Sequence, residues 1–185
     1  MKTIPLTQGR AARVDDADYP ALCAIGRWCF AGGYAVHYYT DRTGQRKRLF
    51  MHRVIMERVQ GGLLPAGYQV DHISRDRLDN RRANLRLATR SQNQAAKGVQ
   101  VNSSSGMKGV NWRAGKWEVR LRYQHKRLYL GRYDSPSTAQ AVYAYAHRLL
   151  WGEFSTEQSV PVPPVGLRDN IISVLATHAI TPCGL

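Results

Sequence analysis

Apolar and polar residues alternate most clearly in the C-terminal half of the chain. Over 117–123 every second residue is apolar and the residues between are charged, as in a strand with one buried face. Turn-forming residues separate this strand from two others over 108–113 and 127–133. Ser135 and Pro136 then open an amphipathic helix, with serine as N-cap and proline at the first helical position. Its predicted buried stripe is Thr138, Val142, Tyr145 and Leu149.

The N-terminal residues predict a hairpin followed by a helix. Residues 34–40 are rich in β-forming side chains, and a turn sequence over 41–44 leads to a second strand over 47–50. Residues 51–59 place their apolar side chains near one face of a helix, which a glycine pair ends. His52 begins this helix directly after the strand, so we expect it to pack or to cap.

The next residues predict a strand, loop, strand and helix within 61–97. Strands over 68–73 and 84–87 flank a polar, charged loop. A threonine and a glutamine three residues apart then form a capping box ahead of a helix over 90–97. The fold class that these patterns predict is α+β.

Two further segments complete the predicted organisation. Residues 98–107 contain a run of Asn, Ser and Gly and are typical of a flexible linker. Residues 155–185 contain prolines and few charges, which predicts a loosely ordered tail with a helical stretch over 170–179. The predicted divisions are a strand and helix region over 1–60, a unit over 61–97, the linker 98–107, a three-stranded antiparallel sheet packed on one helix over 108–154, and the tail 155–185.

Positive charge is concentrated in the middle of the chain. The formal net charge is +14, with 27 Lys and Arg against 13 Asp and Glu. Residues 70–133 alone hold 15 basic and four acidic residues. Basic side chains there alternate with aromatic ones, which favours a nucleic-acid partner over a merely soluble basic surface.

Several other classes of protein are disfavoured by composition. No apolar stretch reaches the roughly 20 residues of a membrane span, and the first residues lack the apolar run of a signal peptide. The three cysteines are too few and too scattered for a disulfide framework or a four-cysteine zinc site. We therefore expect a cytoplasmic protein with no membrane partner and no small-molecule substrate.

The residues that could carry chemistry lie in and after the strand over 68–73. Asp71 and His72 are adjacent there, and Asn93 falls in the first turn of the following helix. Carboxylate and amide oxygens are hard ligands that suit Mg²⁺ or Mn²⁺. Histidine can act as a general base on water near neutral pH. A metal-assisted phosphodiester site is the resulting hypothesis.

The segments VDHI and LDNRRANLRLATRSQNQ resemble the HNH endonucleases, in particular homing endonucleases of phage type. The resemblance implies a ββα-metal fold for the unit over 61–97 and one divalent cation, Mg²⁺ or Mn²⁺. It implies that His72 is the general base, that Asp71 and Asn93 are metal ligands, and that Asn84 orients the loop that carries His72. This chain departs from the family after the His-Ile pair, where Ser74 and Arg75 replace a frequent Asp-Gly.

The segment GVNWRAGKWEVRLRYQHKRLYLGRYDSPSTAQAVYAYAHRLLWGEF resembles the ethylene-response-factor (Apetala-type) DNA-binding domain. That resemblance implies a three-stranded sheet, backed by a helix, that enters the major groove. Arginine can read guanine edges there with two hydrogen bonds. The DNA-binding residues that it implies are Trp112, Arg113, Trp117, Arg120, Arg122, Arg127 and Arg132.

The two resemblances together predict a metal-dependent HNH endonuclease that cuts double-stranded DNA, with a C-terminal DNA-reading module. If the gene belongs to a phage, its compartment is the host cytoplasm, and we expect a monomer. One alternative is a non-catalytic DNA-binding transcriptional regulator whose nuclease unit has decayed. Another is a basic RNA-binding protein.

Overall fold

Residues 1–99, 103–157 and 159–182 are described in a computed structural model of the chain. Residues 100–102 of the predicted linker, and residues 158 and 183–185 of the predicted tail, with Cys183, lie outside this part. The chain divides into two compact units between Arg90 and Ser91. We call them the N-terminal unit and the C-terminal unit.

The N-terminal unit is built from three small antiparallel sheets and two helices of its own. A 3₁₀ turn over Arg82–Asn84 precedes its last strand. In chain order the elements are β1 (Lys2–Pro5), β2 (Ala11–Val14), α1 (Tyr19–Ile25), β3 (Cys29–Ala31), β4 (Tyr34–Thr40), β5 (Arg46–Phe50), α2 (Met51–Gln60), β6 (Tyr68–His72) and β7 (Leu85–Thr89).

The predicted hairpin is present as β4 and β5, and β3 adds a third strand on the other edge of β4. Gly32 and Gly33 connect β3 to β4 with φ of 59° and 88°, a left-handed conformation that glycine adopts without strain. α2 follows β5 without an intervening loop and ends at Gly61, whose φ is 70°. This glycine is the left-handed helix cap that the glycine pair predicts.

The core of the N-terminal unit lies where β1, β2, α1 and α2 meet. Leu22 and Trp28 are almost completely buried, and the Trp28 indole N–H donates a hydrogen bond of 2.9 Å to the Leu22 carbonyl. Met51 and Ile55 bring one face of α2 into the same apolar cluster. Burying each of these large side chains contributes roughly 1.5–3 kcal/mol, so the cluster fixes the elements that surround β6 and β7.

The described residues of the C-terminal unit form one three-stranded antiparallel sheet and two long helices. The spatial order of the strands is β10, β9, β8. The elements are β8 (Val110–Arg113), β9 (Lys116–Tyr123), β10 (Lys126–Tyr133), α4 (Pro136–Trp151) and α5 (Val165–Thr177). A short helix, α3 (Arg90–Ala95), begins at the last residue of the N-terminal unit.

α4 packs on the sheet through a wider face than the predicted stripe. Val142 and Leu149 are buried as expected, whereas Thr138 and Tyr145 are only partly buried. Small residues, such as Ala144, widen the buried face and let the helix approach closely. Gly109 has φ of 67°, and a Cβ there would collide with the Tyr143 ring and with a backbone carbonyl of β9. The close approach therefore requires glycine at 109.

The tail contains a longer helix than the sequence predicts. α5 begins at Val165, directly after Pro164, rather than at residue 170. Ile171 and Leu175 are each 1% exposed, and α5 packs against α4 and β10. This apolar face gives the segment a tertiary anchor that its proline content conceals.

The described fold is mixed α/β, with several small antiparallel sheets and five α-helices among the described residues. No helix in this part of the chain is long and apolar enough to cross a membrane. The strand, strand and helix predicted within 61–97 occur in that order as β6, β7 and α3.

Candidate active site

Asp71 and His72 end β6, at the point where the chain enters the loop over 73–84. The antiparallel register pairs His72 with Leu85 and Asp71 with Arg86 on β7. Because side chains alternate along a strand, the two candidate groups leave β6 on opposite faces. His72 is 6% exposed, so its ring lies inside the unit.

Asn84 joins the two ends of the loop over 73–84. Its Oδ1 accepts a 2.8 Å hydrogen bond from the Ser74 N–H, and its Nδ2 donates one of 2.8 Å to the Asp79 carbonyl. The backbone adds a 2.9 Å bond from the Ile73 N–H to the Asn84 carbonyl. Since Asn84 is 7% exposed, these bonds have little competition from water.

The same loop is attached to β2, more than 60 residues away in the chain. Arg13 donates its N–H to the Leu78 carbonyl and accepts from the Asn80 N–H, both at 2.8 Å. Its side chain forms an ion pair of 2.6 Å with Asp76. The loop beside His72 is therefore held by long-range contacts as well as by Asn84.

Arg75 occupies the turn where the family frequently has glycine. Its φ is 64°, in the left-handed region that favours glycine. The Arg75 N–H donates a 2.9 Å hydrogen bond to the His72 carbonyl, which closes the turn. The replacement therefore keeps the loop turn and places an exposed positive charge next to the site.

His72 is buried, and burial favours its neutral form. Its Nε2 lies 3.3 Å from Asn80 Oδ1, and the Asn80 amide nitrogen donates to the Leu78 carbonyl. Because an amide oxygen only accepts, this contact assigns the proton to Nε2 and leaves Nδ1 with its lone pair. Burial lowers the pKa of His72, while Asn80, Asp71 and Asp76 act in the opposite direction. The ring is consequently a base that is unprotonated at neutral pH.

His52 contacts His72, a relation that the sequence did not predict. The two rings meet edge to face with centroids 5.0 Å apart, and Tyr34 lies against both. Burial lowers the pKa of His52 to about 3, and charge on His72 and Arg53 acts in the same direction. Its Nδ1 is buried without a hydrogen-bond partner among the described residues. His52 therefore packs against His72, and no local sequence pattern marks the pair.

Asp71 and Asn93, the two predicted metal ligands, fall in different units. Asp71 is largely buried and forms an ion pair with Arg86, whose Nε lies 3.0 Å from Oδ2. Asn93 lies in α3, beyond the division between the units. Among the described residues, no group of three or more His, Cys, Asp or Glu side chains could hold a metal ion. The donor types still suit Mg²⁺, which takes one or two protein carboxylates and keeps several waters.

The seven predicted DNA-binding residues lie on the sheet of the C-terminal unit. Arg120 and Arg132 both pair with Glu118, at 2.8 and 3.2 Å, and cover that carboxylate so that it is 3% exposed. Arg113, Arg122 and Arg127 are exposed and have no ion pair in the described part of the chain. Trp112 is 57% exposed and meets its cross-strand partner Trp117 edge to face at 5.1 Å.

Comparison with known proteins gives one family match and one viral relative. Residues 49–95 match the HNH endonuclease family. The chain is also 27% identical over 151 residues to an uncharacterized HNH endonuclease of Acanthamoeba polyphaga mimivirus, covering 76% of this chain and 75% of the viral protein. No solved structure matches. Residues 49–95, which contain Asp71, His72, Asn84 and Asn93, are therefore similar to an HNH endonuclease domain, and the two comparisons support an enzyme, a DNA-cleaving hydrolase.

Proposed function

We propose that this chain is a metal-dependent endonuclease that hydrolyses phosphodiester bonds in double-stranded DNA, with His72 as its general base. The observation that carries the proposal is the state of His72. Its Nε2 is engaged by Asn80, burial favours the neutral ring, and Asn84 fixes the loop beside it. A neutral, oriented imidazole with one basic nitrogen is what general-base catalysis requires.

The reaction is hydrolysis of one phosphodiester bond. A water oxygen attacks phosphorus, its proton passes to Nδ1 of His72, and the bond from phosphorus to the 3′ oxygen breaks. The leaving oxygen takes a proton from solvent, so the products carry 5′-phosphate and 3′-hydroxyl ends. His72 then returns its proton to water. A monomer with one such site cuts one strand at a time.

Asp71 and Asn93 are the residues that would hold the divalent cation, Mg²⁺ or Mn²⁺, as in the ββα-metal arrangement that the family implies. Bound there, the cation supplies positive charge for the scissile phosphate and the leaving oxygen. Arg86 holds Asp71 through Oδ2 and fixes the carboxylate in one orientation. Asn84 acts on the loop alone, through its two hydrogen bonds.

The chemistry of the products tests this reaction. A short duplex with a labelled 5′ end is incubated with the protein and Mg²⁺, and its fragments are offered to a DNA polymerase and to a DNA ligase. We expect the upstream fragment to be extended and the nick to be resealed without end repair. Fragments that need phosphatase treatment before extension would contradict the proposed bond cleavage.

The sheet of the C-terminal unit is proposed to bind the flanking duplex. Arg122 and Arg127 are direct cross-strand partners, and both are exposed. Two like charges opposite each other destabilise a sheet, so this pair favours an anionic partner. Arg120 and Arg132 are already bound to Glu118 and contribute less to DNA binding than the sequence alone suggests.

Exchanging Arg122 and Arg127 for glutamine should weaken duplex binding without impairing catalysis. Each lost phosphate contact reduces the dependence of log K on log salt by about 0.9, so the slope should fall by roughly 1.8. Fluorescence anisotropy over a salt series measures it, and Lys116→Gln is the control because Lys116 pairs with Asp134 at 3.2 Å. Cleavage at saturating DNA should change less than about threefold, on the order of 0.7 kcal/mol. An unchanged slope would contradict the role of this sheet.

A further inference from the structure

One side of the β4–β5 hairpin carries alternating arginines and aromatic rings. On β5, Arg46, Arg48 and Phe50 point to one side, because they are two residues apart. The register pairs Arg48 with Tyr38 on β4, and Tyr34 lies on the same side of β4. We call Tyr34, Tyr38, Arg46, Arg48 and Phe50 the Arg-aromatic face.

The two arginines of this face rest on rings rather than on carboxylates. The Arg46 guanidinium lies 4.6 Å from the Tyr38 ring centre, and that of Arg48 lies 5.0 Å from the Phe50 ring centre. Both arginines are exposed, and neither has an ion pair among the described residues. Stacking on a ring orients a guanidinium and leaves its N–H groups available for a ligand.

Several other arginines of the N-terminal unit already have a carboxylate partner. Ion pairs in the same unit include Arg13 with Asp76, Arg53 with Glu57, Arg58 with Asp18, Arg81 with Asp79, Arg82 with Asp18, and Arg86 with Asp71. Residues 34–53 contain five Lys and Arg against one Asp or Glu. That acid, Asp41, lies 3.6 Å from Lys47, so it does not neutralise the two stacked arginines. The positive charge of the two stacked arginines is therefore not balanced by a carboxylate among the described residues, and a negatively charged ligand would balance it.

The Arg-aromatic face leads directly to His72. Tyr34 packs against Phe50 at 5.6 Å between ring centres and against His72 at 6.2 Å. Arg77, from the loop beside the site, stacks on the same Tyr34 ring at 4.6 Å. Since a strand advances roughly 3.3 Å per residue, Arg46 lies about 13 Å along β5 from Phe50. That distance corresponds to about four base pairs of duplex, at about 3.4 Å each.

We propose that the Arg-aromatic face binds the phosphate backbone of the DNA duplex next to the cleaved bond and so positions that bond against His72. The inference rests on the proposed function for its choice of polyanion. Guanidinium groups match phosphate oxygens with two parallel hydrogen bonds, so two stacked arginines on one strand suit neighbouring phosphates of a DNA backbone. These contacts are independent of base sequence, and they lie in a different unit from the contacts proposed for the C-terminal sheet.

A binding experiment that needs no cleavage tests this face. All variants are made in a His72→Ala background, so a failure of catalysis does not affect the result. Arg46→Gln with Arg48→Gln should raise Kd for a duplex DNA on the order of 10- to 100-fold at 0.1 M salt, and lower the salt slope by about 1.8. Circular dichroism and thermal melting verify that the exposed substitutions leave the fold intact.

The control removes the same charge from paired arginines of α2. Arg53→Gln with Arg58→Gln should leave Kd within about threefold, because Arg53 faces Glu57 at 2.8 Å and Arg58 faces Asp18 at 3.9 Å. An equal loss in the control, or no loss in the Arg46 and Arg48 variant, would overturn the proposal. So would a loss of affinity for duplex RNA of the same sequence without a loss for DNA. If the wild-type chain, which keeps His72, bound DNA normally but did not cleave it, the result would instead point away from the proposed function.

Discussion

Replacing His72 by alanine is expected to slow DNA cleavage by about 10²- to 10⁴-fold, the contribution typical of a positioned general base. His72 is the neutral imidazole at the end of β6, with Nε2 facing Asn80 and Nδ1 retaining its lone pair. Alanine removes the proton acceptor but leaves the Asn84 bonds to the loop intact. Rates under single-turnover conditions on a short duplex measure the loss, and DNA affinity should stay within about threefold, on the order of 0.7 kcal/mol.

His125→Asn is the control for this substitution. His125 is exposed in the β9–β10 turn with φ of 67°, a conformation that asparagine tolerates. Its cleavage rate should equal that of the wild-type chain. Because burial lowers the pKa of His72, the wild-type rate should decline only below about pH 6.5, the ordinary histidine value. A His72→Ala chain that cleaves at the wild-type rate would contradict the assignment of His72.

Replacing Asn84 by alanine should impair both folding stability and cleavage. The change removes two side-chain hydrogen bonds and leaves the Ser74 N–H and the Asp79 carbonyl without these partners. We expect the free energy of unfolding to fall by roughly 2–4 kcal/mol, because buried polar groups that lose a partner are costly. Chemical denaturation with urea measures it. Cleavage should also fall at temperatures where the chain remains folded, because the loop beside His72 loses its anchor.

Asn111→Ala is the matched control, because Asn111 is exposed on β8. Its effect on the unfolding free energy should stay within about 0.5 kcal/mol. If Asn84→Ala were as stable as this control, the role of Asn84 in holding the loop would be wrong. If Asn84→Ala were destabilised yet cleaved normally at low temperature, the loop would matter for folding but not for catalysis.

Much of the fold could be predicted from local sequence patterns, because many of its strands, turns and helix starts depend on residues that are close together in the sequence. The alternation over 117–123 and the Ser135 and Pro136 helix start correspond to β9 and α4. The hairpin of β4 and β5 follows from its β-forming residues and turn. α5 was harder to predict, because its stability comes from packing Ile171 and Leu175 against other elements.

The candidate site shows the limit of the same reasoning. The motif positions of Asp71, His72 and Asn84 are readable, but the attachment of their loop to Arg13 spans more than 60 residues. The contact between His52 and His72 is equally non-local. The number of arginines also does not show which of them have a carboxylate partner. Arg120 forms an ion pair with Glu118, whereas Arg48 stacks on the Phe50 ring. Such differences arise from tertiary contacts that periodicity and spacing do not encode.

The most direct measurement of the central claim is the conversion of supercoiled plasmid by the wild-type chain with Mg²⁺, beside the same reaction with a chelator and a reaction with His72→Ala. We predict nicked circles in the first reaction and intact supercoiled plasmid in the other two. Supercoiled plasmid that stays intact with the wild-type chain, over a broad range of salt and divalent metals, would contradict the claim and favour a DNA-binding protein without nuclease activity. Equal nicking by His72→Ala would leave a nuclease but place its chemistry elsewhere.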